Sequence, residues 1–184
     1  MTLEEALSEK YSIIAQHPFK QRLVNGELTV IEYFVYLSQI QPIYNHMERY
    51  PLPNDEIQRE QRAVVDMMEL RNYPENLFNP LAKPIQTTFH YMQYLLTLSE
   101  EKTKPHAYVN YMFLLTEGQT YKDRLPGSGR IYKFDDVNGY INLFESAKQD
   151  DWAEEANIAL DYYIAIFDEL QELIESFNEI NNNL

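Results

Sequence analysis

No cysteine occurs anywhere in this 184-residue chain. Disulfides, thiolate nucleophiles and cysteine-ligated metals are therefore excluded outright. Cations are scarce: Lys and Arg together number 15 against 29 Asp and Glu, a formal net charge of −14. A surface of that sign repels nucleic-acid phosphates and anionic membranes, so neither is expected as a partner. No apolar run approaches the roughly 20 residues that a membrane span requires. The opening MTLEEALSEK is acidic and amphipathic, unlike a secretory signal. A soluble, cytoplasmic protein is the expectation. Strand patterning is lacking too, because nowhere do apolar and polar residues alternate over the length of a strand.

What is present is helical. With 184 residues, 45% of them apolar, the chain can fill one hydrophobic core. Its fifteen tyrosines fit an aromatic-rich helical core better than a specialised aromatic pocket. Leu3, Leu7, Tyr11 and Ile14 predict a first helix near residues 3–15, interrupted at His17–Pro18. Thr29 with Glu32 makes a capping box for a second, which Pro42 should kink or end. Residues 55–71 read as a third helix, and NYPENLFNPLAKP as a loop. Pro84 and Pro105 are placed to start a fourth helix to about Ser99 and a fifth to about Leu125. PGSG is the clearest break. A short helix from Asp135 to about Ala147 follows, then a last one from about Asp151 to Asn178 with Ile158, Tyr162, Ile166, Leu170, Leu173 and Phe177 inward. The tail NEINNNL, 178–184, should fray. With no linker and no internal repeat, residues 1–184 predict one all-α domain of about seven helices.

Familiar chemistry is hard to find in this pattern. Di-iron bundles use Glu-x-x-His pairs, but the residues three before His17, His46, His90 and His106 are Ile14, Ile43, Thr87 and Thr103. There is no Gly-x-Ser-x-Gly elbow and no phosphate-cradling glycine loop, and PGSGR reads as a turn. Lys122, Arg124, Arg130 and Lys133 form the one basic cluster, read as a solvated loop with anion binding as the alternative. Asp150, Asp151, Glu154 and Glu155 complement the dipole at the start of the last helix, which suffices to explain them.

Three segments, taken together, resemble the haem oxygenase family. FKQRLVNGELTVIEYFVYLSQIQPIYNHME is similar to the end of that family's first helix and its second. HAYVNYMFLLTEGQTYKDRL resembles the helix laid over the haem, whose pattern is roughly H-A-Y-x-R-Y-L-G-D-L-S-G-G-Q. EEANIALDYYIAIFDELQEL resembles the final helix. Order and spacing agree along nearly the whole chain. QHPFKQRLVNGELT is also locally similar to the thiaminase-II family of the same fold, but the cysteine nucleophile is missing. The resemblance implies an all-α haem-oxygenase-like bundle with a ligand between the first helix and a kinked helix opposite. It implies haem as cofactor and an activity that opens haem to biliverdin, iron and carbon monoxide with O₂ and electrons.

Carried over residue by residue, the implied site is altered. Counting back from Phe19, the proximal histidine position holds Tyr11. A tyrosinate ligates ferric haem but resists the reduction that O₂ binding needs. His17, six residues later, is the substitute ligand to consider. In the distal helix His106, Ala107, Tyr108, Tyr111, Gly118 and Gln119 match. The first glycine has become Phe113, the aspartate that organises the water network Leu114, and the middle glycine Glu117. Glycines there let bare backbone approach a ligand and let the helix kink. Glu4 and Ser8 stand where basic residues would meet the propionates. The candidate cofactor-lining set is therefore Tyr11, His17, Tyr108, Phe113, Leu114, Glu117 and Gly118, with no catalytic or metal-ligating residue assigned. Two readings follow. In the first, the chain is a haem-oxygenase-like pseudoenzyme with a degenerate site, binding a tetrapyrrole, another small apolar ligand or a protein. In the second, it is a divergent biliverdin-producing oxygenase with Tyr11 or His17 as axial ligand. An open slot between Tyr11 and Gly118 favours the second; a slot plugged by Tyr11, Phe113 and Leu114 favours the first.

Overall fold

A computed structural model describes residues 1–76, 79, 81 and 83–182. Positions 77, 78, 80 and 82 of the NYPENLFNPLAKP loop and 183–184 of the tail lie outside the described residues. The described residues form nine α-helical segments and short 3₁₀ turns, with no strand.

Local chemistry accounts for most helix ends. α1 (Leu3–Gln16) opens on a capping box, with Thr2 accepting from the Glu5 amide and the Glu5 carboxylate accepting from the Thr2 amide. The chain then turns once and restarts as α2 (Pro18–Asn25), a helix that the sequence reading does not separate. His17 is its N-cap, Pro18 its first residue, and Gly26 at φ 71° its left-handed C-cap. α3 (Val30–Met47) begins with the expected Thr29–Glu32 box. It neither ends at Pro42 nor pauses there. A proline inside a helix costs about 3 kcal/mol. Beyond it, Ile43, Tyr44 and Met47 are buried, and each such side chain contributes roughly 1.5–3 kcal/mol. Burial therefore outweighs the break.

The expected third helix is divided: residues Asp55–Ile57 form a 3₁₀ turn, and α4 (Glu60–Arg71) follows. α5 spans Gln86–Thr97. The fifth helix does not start at Pro105. α6 runs Glu100–Leu115 from an N-cap at Ser99, whose hydroxyl accepts from the Lys102 amide, so Pro105 lies inside it. Nor does it reach Leu125, because it breaks at Thr116; α7 (Glu117–Tyr121) continues in a new direction set by a ψ of −86° there. α8 is Val137–Ala147 and α9 is Ala153–Asn182. On α9 the deeply buried residues include Ala156, Leu160, Tyr163, Ile166, Phe167, Leu170 and Ile174, so Ile166 and Leu170 face inward as expected, while Ile158, Tyr162, Leu173 and Phe177 are only half-buried.

α9 packs against α1, α2, α5 and α6, and α3 against α4 and α5. Rings fill the space between: Phe19 stacks on Phe167 at 5.4 Å, and Tyr111 stacks on Phe144 at 5.4 Å. Several buried hydroxyls find partners, which a polar group enclosed in a core needs to offset its lost hydration. Tyr44 donates to the Asn110 carbonyl at 2.9 Å, and Tyr163 to the Asn110 side chain. Tyr91, His106 and Glu155 form a chain of 2.8 and 3.2 Å that ties α5, α6 and α9 together. Burial holds His106 below its ordinary pKa despite Glu155, so it serves as a neutral strut.

Candidate functional site

α1 presents Tyr11 and α6 presents Phe113, and the two rings touch. Their centroids are 5.8 Å apart, edge to face at 82°. Phe113 is held from the other side by Tyr163 of α9, at 5.2 Å and 69°. Burial, then Glu117 and Glu145, push the Tyr11 phenol up to about 12, so it stays neutral. Tyr108 donates to Glu145 at 2.9 Å, and burial followed by that carboxylate raises its pKa as well.

Beneath this contact lies an ammonium. Lys20 of α2 is only 4% exposed, and its Nζ sits 2.7 Å from Glu117 Oε2. The same Nζ lies 4.9 Å from the Phe113 ring centroid and 5.6 Å from that of Tyr121. The enclosed space bounded by Lys20, Tyr36, Phe113, Leu114, Tyr121 and Phe167 amounts to about 10 Å³, the least volume that holds a single water.

The break between α6 and α7 is local and well supported. Thr116 bonds back to the Met112 carbonyl at 2.6 Å, and Gln119 Nε2 donates to the carbonyls of Leu114 and Tyr132, both at 2.9 Å. Those bonds satisfy carbonyls that the broken helix leaves open. The break falls two residues before Gly118. A side chain at Gly118 would come within 2.7 Å of the Tyr132 ring, which is itself fully buried. The glycine is thus needed for the approach of Tyr132.

Tyr11, Tyr108, Phe113 and Glu117 do come together, with Leu114 and Gly118 buried beside them. His17 does not join them. Its Nδ1 accepts from the Phe19 amide at 3.1 Å, and its Nε2 lies 3.1 Å from Asp168. Accepting at Nδ1 fixes the proton on Nε2, which donates to Asp168, and no lone pair is left for a metal. Its role is to cap α2. Three residues of the basic cluster are engaged, Arg124 with the Val24 carbonyl, Lys122 with Gln119 and Arg130 with Glu69, while Lys133 is exposed. Two residues at the site escape the sequence reading. Lys20 resembles an ordinary surface lysine of FKQRL, and Lys148, which pairs with both Glu4 and Glu145, lies far along the chain. No signal in the sequence marks Lys20; its burial follows from packing against Phe113, Tyr121 and Glu117.

The Lys20–Glu117 pair gives a direct test. Glu117→Ala strands a buried ammonium. The cost should be about 2 kcal/mol, below the roughly 3–5 kcal/mol of a fully buried pair because Glu117 is 44% exposed. Lys20→Met added to Glu117→Ala should recover most of it in urea midpoints. A double variant as unstable as the single would show that the Lys20 charge is not what Glu117 holds.

No protein-family model matches the chain, and no curated protein does so. Solved structures do. Haem oxygenase-1 of Synechocystis sp. PCC 6803, in complex with haem, superposes with a TM-score of 0.79 at 20% identity, over 98% of this chain and 96% of that one. Haem oxygenase-2 of the same organism, in complex with haem and NO, gives 0.77 at 18% identity, over 95% and 85%. The haem oxygenase of Leptospira interrogans gives 0.76 at 22% identity, over 92% and 100%. At these identities what is shared is architecture: this chain has a haem-oxygenase-like fold.

Proposed function

We propose that the chain uses this fold as a ligand-binding or interaction protein and does not open haem. The observation that carries the reading is the contact between Tyr11 and Phe113. A macrocycle held between two walls needs roughly 3.5–4 Å to each, about 7–8 Å in all. Ring centroids 5.8 Å apart, meeting edge to face, leave no such gap. The residues present therefore do not fit a haem. Leu114 has no polar atom with which to order a water on the distal side.

The competing reading, a divergent oxygenase, needs an axial ligand. His17 has both ring nitrogens engaged, and Tyr11 has its anion disfavoured. The test is turnover. Purified protein incubated with haemin, a reductant and O₂ should yield no biliverdin above the protein-free rate. Biliverdin formation that depends on the protein and falls in Tyr11→Phe would overturn the proposal.

A further inference from the structure

On another face of α6 lies a cleft of about 590 Å³, within the range of small-molecule sites. The loop after α3 supplies Leu52, α6 supplies Ala107, and Phe144 and Trp152 close the floor. Phe144 and Trp152 are each only 9% exposed and are fixed from behind, Phe144 by stacking on Tyr111 and Trp152 by an edge contact with Tyr108 at 6.1 Å. These apolar walls are in place before a ligand arrives, so binding does not have to order them.

Three charged side chains reach the lining: Lys104, Lys148 and Glu100. Neither ammonium is free. Lys104 lies 2.5 Å from Glu101, and Lys148 is held by both Glu4 and Glu145. None of those three carboxylates lines the cleft, so both lysines are neutralised from outside it. Glu100 is exposed to water and is the first residue of α6, where the positive end of the helix offsets its charge. The two helix ends at the cleft oppose each other as well, because α6 starts there with its amides and α8 ends there with its carbonyls. An ion of either sign would lose hydration on entering and meet no free counter-charge, whereas a neutral molecule loses little. We propose that this cleft binds a small neutral aromatic molecule, its ring against Leu52, Phe144 and Trp152. The inference rests on the reading of the chain as a ligand-binding protein and makes no use of the Tyr11–Phe113 contact.

Trp152 is the single tryptophan of the chain and reports directly on its own cleft. N-Phenyl-1-naphthylamine, a neutral probe whose absorption overlaps indole emission, should quench Trp152 saturably at a single equivalent. The anion 1-anilinonaphthalene-8-sulfonate has the same skeleton with a sulfonate added, so it isolates the effect of charge. It should bind more weakly by roughly tenfold or more, for want of a free counter-charge. Proflavine, a flat aromatic cation, should also bind more weakly than the neutral probe. Ala107→Phe, which fills the cleft, should abolish binding of the neutral probe. Leu52→Ser, on the surface loop, should weaken it by roughly tenfold, the scale of losing one apolar side chain from a site. Circular dichroism should be unchanged in each. Three results would overturn the proposal: quenching that never saturates, quenching unaffected by both Ala107→Phe and Leu52→Ser, or an ion of either sign bound as tightly as the neutral probe. Haemin takes no part in these readouts, so failure here leaves the loss of haem opening standing, and protein-dependent biliverdin would leave the cleft untouched.

Discussion

Phe113→Gly should make the chain bind haemin. Removing the ring takes away the wall that meets Tyr11 at 5.8 Å and restores bare backbone at that turn of α6. The variant should be substantially less stable. Truncating a large aromatic in a core costs about 3–5 kcal/mol, and glycine in a helix interior about 1 kcal/mol relative to alanine. Phe113 is only partly buried and is also bridged by Lys20, so a total near 4 kcal/mol is expected. That is a large share of the roughly 5–15 kcal/mol of a typical domain. Binding then returns part of the loss by mass action. Haemin should therefore raise the urea midpoint of Phe113→Gly and leave that of the parent unchanged. A folded variant with no haemin-dependent shift would mean that Phe113 is not what closes the slot.

Gly118→Val should be strongly destabilising. An added Cβ alone would sit 2.7 and 2.8 Å from two carbons of the Tyr132 ring and 3.1 Å from the Phe113 carbonyl. Tyr132 is fully buried and its ring meets Tyr121 edge to face at 5.7 Å, so it has nowhere to go. Overpacking of this kind costs about 1–3 kcal/mol. The two further methyl groups place valine at the top of that range, about 3 kcal/mol. Thermal denaturation would measure it, and Tyr132→Leu in the same chain should recover part of the loss by making room. A neutral Gly118→Val would contradict the packing described for α7.

That glycine shows where sequence reasoning reaches and where it stops. Gly118 is legible as a position requiring close approach, but not which group approaches: the family pattern suggests a ligand, and the structure supplies Tyr132. The Thr29–Glu32 box marks the start of α3 because capping is a local code, four residues long. Pro105 misleads as a helix start, and Pro42 does not end α3, for the converse reason. Their local cost is real, yet it is overridden by buried side chains on both sides, and burial is decided by neighbours distant in sequence. His17 reads as a candidate ligand, whereas the proline after it makes it a cap. The Lys20–Glu117 pair joins residues 97 positions apart (117 − 20), and no spacing rule announces such a contact. The altered positions Tyr11, Phe113, Leu114 and Glu117 are all readable one by one. That Tyr11 and Phe113 touch, and that Glu117 draws a lysine inward, belongs to the packing.

On the proposed reading, the slot between α1 and α6 is closed to a macrocycle. Titration of the purified parent chain with haemin, followed by absorbance, tests it most directly. The spectrum should remain that of free haemin, with no saturable Soret band at any ratio. A saturable band at a single equivalent, lost in Tyr11→Phe and retained in His17→Ala, would contradict it and make Tyr11 an axial ligand.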